Sequence, residues 1–127
     1  MIAGREVRAA LDYDRSVRPI VLAVLGPTAS GKSALSLALA ERCGGEIINC
    51  DSTAVYRGFD IGTDKLALDE RRGIPHHLID IADPTEVYTA AQFARDAAQA
   101  IRAIHGRGKL PMIVGGTGLY YRALTRG

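Results

Sequence analysis

Cysteine is scarce, with only Cys43 and Cys50 in 127 residues. The pair has no CxxC spacing and no histidine at zinc-ligand distance in sequence, so a disulfide framework or structural zinc site lacks support. Both thiols are expected to be reduced and buried as small hydrophobes in a cytosolic protein. Long apolar runs are missing too: none approaches the roughly 18 residues of a membrane span. The first nineteen residues carry Arg5, Glu6, Arg8, Asp12, Asp14, Arg15 and Arg18, which leaves no apolar centre for a signal peptide. Nor does one sign of charge dominate. Sixteen Lys and Arg against fourteen Asp and Glu leave +2, so any nucleic-acid partner has to be argued from local residues rather than from net field.

What is present suffices for one compact domain, because 47% of the chain is hydrophobic and its length fits a single core. The mixed, weakly periodic residues 1–19 read as a flexible extension, and the domain is placed at 20–127. Residues 20–25 form a short apolar run that reads as a strand buried on both faces. Apolar spacing then predicts a helix over 32–43, stopped at Gly44-Gly45, and a second strand over 46–50. Residues 52–57 are expected as a short helix, 58–73 as an exposed loop and 77–81 as a third strand. Over 89–105 Phe93, Ala97, Ile101 and Ile104 share one helical face. A buried strand over 110–114 and a helix over 117–124 complete a repeating β-then-α order. That order implies an α/β fold with a mostly parallel sheet and helices over its faces.

Three motifs lie at predicted strand ends. Gly26-Pro27-Thr28-Ala29-Ser30-Gly31-Lys32-Ser33 matches GxxxxGK[ST] between a strand and a helix, the context in which that match carries weight. Glycines at both ends let successive amides turn inward at a positive helix end, Lys32 adds a charge, and the Ser33 hydroxyl is placed to ligate Mg²⁺. A diphosphate or polyphosphate ligand follows, with ATPase, kinase or diphosphate-leaving-group chemistry all open. Asp51 ends the second strand at the same sheet edge, where general base, Mg²⁺ ligand and helix N-cap compete as roles. The third motif, Gly115-Gly116-Thr117-Gly118, either presents amides and a hydroxyl at that edge or serves only a tight turn.

In order, GPTASGKS, DSTAVYRGFDIGT, PHHLID and GGTGLYYRAL resemble the tRNA dimethylallyltransferase, or tRNA isopentenyltransferase, family over residues 20–124. The resemblance implies a P-loop NTPase-like three-layer fold and a dimethylallyl transfer from dimethylallyl diphosphate. The acceptor would be N6 of an adenosine in the tRNA anticodon loop, in tRNAs reading codons that begin with U. It implies Asp51 as catalytic base, with Lys32 also acting in catalysis. Gly26, Pro27, Thr28, Ala29, Ser30, Gly31, Lys32 and Ser33 would bind the diphosphate, with Mg²⁺ at Ser33. Asp51, Ser52, Thr53, Ala54 and Thr117 would face the tRNA, whose adenine must leave its stack to react. Ala54 stands where many members carry Gln, and Asp64 and Leu66 replace a common Ala and Pro. Family chains continue past residue 127 into further core strands, an arginine near the leaving group and a helical tRNA-binding domain. The chain is therefore expected to be a fragment, incomplete at its C-terminal side, and a cytoplasmic monomer.

Other residues read more plainly. His76 and His77 are assigned to packing and hydrogen bonding, one ring in and one out. Tyr56 and Arg57 suit either RNA stacking or helix packing, and Phe93 belongs to the core. A small P-loop kinase remains as an alternative, with Arg71 and Arg72 as a lid, as does a diphosphate-binding fragment without activity.

Overall fold

The computed structural model describes residues 20–26, 32–58 and 66–126. The expected extension over 1–19 lies outside them, as do Pro27, Thr28, Ala29, Ser30 and Gly31 of the phosphate loop and residues 59–65. The elements run β1 (Leu22–Leu25), α1 (Lys32–Cys43), β2 (Gly45–Asn49), a single 3₁₀ turn (Leu68–Glu70), β3 (His76–His77), α2 (Ala90–Gly106), β4 (Leu110–Gly115) and α3 (Gly118–Arg126).

The strands form one sheet in the order β1-β4-β2-β3, and every pairing is parallel. β1 and β2 follow one another in the chain but do not pair, because β4 lies between them. Its Met112 is level with Leu22 on one side and Ile47 on the other. Alternation along the strands then builds three layers. Ile47 and Met112 face Leu37 and Ala40 of α1. Ile48 and Ile113 face Phe93, Ala97, Ile101 and Ile104 of α2 and Tyr120 and Leu124 of α3. The amphipathic face expected of α2 is thus the one it buries, and Phe93 also stacks on Tyr120 with ring centroids 4.7 Å apart.

Capping explains where α2 starts. Thr89 Oγ1 accepts from the Gln92 N–H at 3.1 Å, and Gln92 Oε1 accepts from the Thr89 N–H at 2.7 Å, a reciprocal capping box. Gly44 ends α1 with φ +66°, a left-handed turn that suits glycine. Gly45 belongs to β2 instead of the stop, and a Cβ there would lie 2.6 Å from Met112 Sδ.

Several expectations are corrected. β1 starts two residues later, since Ile20 is 65% exposed. No helix forms over 52–57. The segment turns, and its backbone instead pairs with 80–82, with the Asp80 N–H on the Ala54 carbonyl (3.1 Å) and the Arg57 N–H on the Ala82 carbonyl (2.9 Å). The strand expected over 77–81 shrinks to His76–His77, because Leu78 (φ +66°) and Asp80 (φ +57°) leave the extended region. Cys43 is exposed on the last turn of α1, whereas Cys50 is buried as expected.

Candidate functional site

The carboxyl edge of the sheet gathers the three motifs. Gly26, after β1, donates its N–H to the Gly115 carbonyl at 3.1 Å, and Lys32 and Ser33 open α1. The tip of β2 is joined to the tip of β4 by a clasp of backbone and side-chain bonds. The Cys50 N–H donates to the Val114 carbonyl (2.8 Å), the Thr117 N–H donates to the Cys50 carbonyl (3.0 Å), and the Ser52 N–H donates to Thr117 Oγ1 (2.9 Å). Gly115 makes this approach possible. A Cβ at that position would fall 2.2 Å from the Cys50 carbonyl oxygen and 2.3 Å from its carbon. The third motif is therefore more than a tight turn, since its first glycine and its threonine fix where Asp51 emerges.

Asp51 Oδ1 accepts from the Thr53 N–H at 2.9 Å and from Thr53 Oγ1 at 2.7 Å. This Asx turn uses one carboxylate oxygen locally and caps no helix. Asn49, two residues earlier and buried, donates from Nδ2 to the carbonyls of Asp51 and Leu78, both at 3.0 Å, and so ties the acid's backbone to the strand beyond.

Ser33, Ser36, Asn49 and Asp51 supply the polar part of a cleft on the α1 side of the sheet, and Ile47, Leu66, Ile79 and Val114 supply its apolar part. Ala54 and His76 also line it. Of the residues expected to face tRNA, Asp51 and Ala54 reach the cleft, Thr53 is exposed, and the Ser52 backbone and Thr117 hydroxyl are joined to each other. Ala54 is 3% exposed and forms wall, so it offers the cleft no side-chain polar contact.

Sheet parity separates the two histidines. His76 pairs with Ile47 and lies on the cleft side; His77 pairs with Ile48 and lies on the α2 side. Both rings are half-buried, so alternation selects the sheet face without exposing either one. His76 Nδ1 donates to the Ile74 carbonyl at 2.8 Å. Burial pulls its pKa below the ordinary histidine value, aided by Arg71 and His77 and opposed by the Ile74 bond. His77 Nε2 donates to Glu46 Oε1 at 2.8 Å, and Arg107 grips both oxygens of Glu46, at 2.6 and 3.1 Å. The Arg107 hydrogen bonds hold the Glu46 carboxyl below its usual range against the opposing effect of burial. Asn49 and Ser36 are cleft residues that motif reading passed over, and His76, assigned to packing, lines the cleft as well. For Asn49 the signal is parity: residues 47, 49 and 51 alternate onto one face.

Other basic residues serve the fold. Arg71 donates to the Leu66 carbonyl from Nε and Nη2 (3.0 and 2.8 Å), and Arg72 pairs with Glu41 (2.8 Å), so both members of the supposed lid are bonded to their own neighbourhood. Tyr56 accepts the Tyr88 N–H at 2.9 Å, a bracing contact between loops rather than a helix contact. No group of three or more metal-ligating His, Cys, Asp or Glu occurs among the described residues. Mg²⁺ needs less: one or two protein oxygens suffice when phosphate and water complete its octahedron. Ser33 and Asp51 on one cleft fit that donor set.

An all-parallel sheet, a GxxxxGKS segment between β1 and α1, and an acid after β2 at the same sheet edge define a P-loop NTPase-like fold. The IPP transferase family model matches residues 54–127, more than half of the chain. The chain belongs to the IPP transferase family.

It is 59% identical over 109 residues to the tRNA dimethylallyltransferase of Koribacter versatilis, covering 86% of this chain and 36% of that one. To the Solibacter usitatus protein of the same name it is 62% identical over 107 residues, 84% of this chain and 35% of that one. The crystal structure of the Staphylococcus epidermidis tRNA delta(2)-isopentenylpyrophosphate transferase superposes with TM-score 0.80 at 48% identity, over 84% of this chain and 35% of that one. That of a eukaryotic dimethylallyltransferase acting on tRNA gives 0.78 at 45% identity, over 81% and 26%. The chain spans about a third of the length of the curated relatives it matches. The kinase alternative finds no support among these relatives. No helix among the described residues is long and apolar enough to cross a membrane.

Proposed function

We propose that the chain carries the donor site and catalytic acid–base centre of a tRNA dimethylallyltransferase. The reading rests on one observation: Asp51 and Ser33 line the same cleft, whose remaining wall is largely apolar. A phosphate loop next to an apolar slot suits a prenyl diphosphate better than a nucleotide, since the five-carbon chain has no polar atom to satisfy.

In this mechanism the N6 amine of an unstacked adenosine in the tRNA anticodon loop attacks C1 of dimethylallyl diphosphate. The C1–O bond breaks, diphosphate departs with the electron pair, and the N6 proton passes to Asp51. The products are N6-dimethylallyladenosine and diphosphate. Asp51 is held for this by its Asx turn and by the Thr117–Ser52 clasp. Thr28, Lys32, Ser33 and the amides of the loop would bind the diphosphate and stabilise the charge it acquires on leaving. Bound Mg²⁺ at Ser33 would supply further neutralisation of that charge. The acceptor tRNA, its restriction to codons beginning with U, cytoplasmic location and a monomeric state belong to the same proposal.

The test is equilibrium binding of dimethylallyl diphosphate and ATP with Mg²⁺, repeated with Lys32→Ala. Preferential binding of the prenyl donor, lost in the variant, is expected. Tighter binding of ATP would overturn the reading.

A further inference from the structure

The clasp that fixes Asp51 is also where α3 begins. Thr117, whose Oγ1 accepts the Ser52 N–H at 2.9 Å and whose own N–H donates to the Cys50 carbonyl, is followed directly by Gly118, the first residue of the helix. α3 therefore starts at the carboxyl edge of the sheet, the edge from which Asp51 emerges. Its inner face is packed, with Tyr120 and Leu124 buried in the α2 layer. Its outer face carries the exposed Arg122 and Arg126, one turn apart on the same side.

Arg122 is directed back along that face toward the edge. A Cβ placed on Gly118 would lie 3.4 Å from Arg122 Nη1, so the guanidinium lies over the first residue of α3. The macrodipole stabilises a cation at the end of a helix and opposes one at its start. Arg126, in the last turn, has the favourable place, and the Arg122 guanidinium has the unfavourable one. A positive charge held at an exposed edge against the helix field is stabilised when an anion arrives there. Another exposed arginine in this part of the molecule, Arg57, is already engaged: it donates to the Asp80 carbonyl at 3.4 Å, and its charge adds to the Thr85 hydrogen bonds that lower the Asp83 pKa.

We propose that Arg122 is a positioning residue for the acceptor, binding a backbone phosphate of the anticodon loop beside the unstacked adenosine. The inference rests on the tRNA-acceptor reading above. An adenosine out of its stack is presented by its own backbone, so a phosphate contact sets the register in which N6 meets Asp51. A guanidinium suits that task, because its planar donors pair with two phosphate oxygens at once.

Salt dependence tests this, because each phosphate contact to a single strand contributes about 0.7 to the slope of log affinity against log salt. The probes are a synthetic anticodon stem-loop RNA with an unmodified loop adenosine and the duplex of its stem alone, each titrated with the full 127-residue chain. Arg122→Ala should make the stem-loop slope shallower by about 0.7 and weaken binding by about fivefold at roughly 0.1 M salt. The side chain is exposed, so the packed face of α3 is untouched by the change. Arg122→Lys keeps the charge and should retain the slope. Lys109→Ala removes an equal charge at the opposite end of β4 and should retain it too. A slope unchanged in Arg122→Ala, or reduced equally in Lys109→Ala, overturns the role of Arg122. Wild type that binds the stem-loop no more tightly than the duplex overturns the tRNA-acceptor reading itself.

Discussion

Asp51 and Cys50 are chain neighbours with opposite fates. The Cys50 thiol is fully buried, and burial together with the neighbouring Asp51 charge pushes its pKa up to about 12. It is chemically inert at neutral pH, whereas Cys43 is exposed. Iodoacetamide is therefore expected to label Cys43 alone in the folded chain and both thiols after denaturation, as peptide mass spectrometry would show. Asp51 has the opposite environment, at the cleft with one oxygen used locally. Asp51→Asn keeps the Asx turn and removes the base, so transfer in an enzyme carrying this site should slow by about 10²- to 10⁴-fold while donor affinity is retained. Equal loss of affinity and rate would assign Asp51 to binding instead. Gly115→Ala acts through geometry, because its methyl would overlap the Cys50 carbonyl. Backbone at both strand tips must shift, and a loss of about 3 kcal/mol, at the upper end for overpacking, is expected in urea melts.

At the scale of elements, α2 was the most legible, because its apolar face, Phe93 to Ile104, repeats over about three turns and its cap is local in sequence. Thr89→Ala removes one half of the capping box and should lower stability by about 1 kcal/mol. Phe93→Ala opens a cavity against Tyr120 and should lower it by about 3 to 5 kcal/mol. Calorimetry on both variants compares helix-end and core contributions directly. Elements whose conformation depends on distant partners were poorly legible. Residues 52–57 are expected as a short helix, yet Thr53 bonds to Asp51 and the backbone that follows pairs with 80–82. Similarly, β3 is short because Leu78 and Asp80 turn to the left-handed region, which no apolar pattern announces.

At the scale of the molecule, two partly or fully buried ionisable groups, His76 and Glu46, couple stability to pH in separate windows. His76 has its folded pKa lowered below 6.5, chiefly by burial, so the unfolded chain takes up that proton first and stability declines as pH falls below 6.5 toward the folded value. Glu46 has its folded pKa lowered below 4.5, chiefly by Arg107, so its contribution is present above 4.5 and is lost as pH falls through the folded value. Urea melts from pH 7 to pH 3 should therefore show two declines. His76→Phe should flatten the first and Glu46→Gln the second. A first decline that survives His76→Phe would place the coupling elsewhere. The Glu46–Arg107–His77 cluster also joins β2, β3 and the end of α2, so the second decline reports the packing of three elements.

Local chemistry in the sequence determined what each segment is: apolar runs that demand burial, a glycine-bounded lysine and serine that suit phosphate, a capped amphipathic helix, and an acid at a strand end. Those properties depend on neighbours within a few turns, so they are legible without coordinates. Which strands lie side by side depends on the burial of whole faces, and only the tertiary structure decided it. By inserting β4 between β1 and β2, it brought Gly115 against Cys50 and Thr117 against Ser52. By pairing β3 with β2 in one register, it turned His76 into the cleft and His77 away from it, since a slip of one residue would exchange the two.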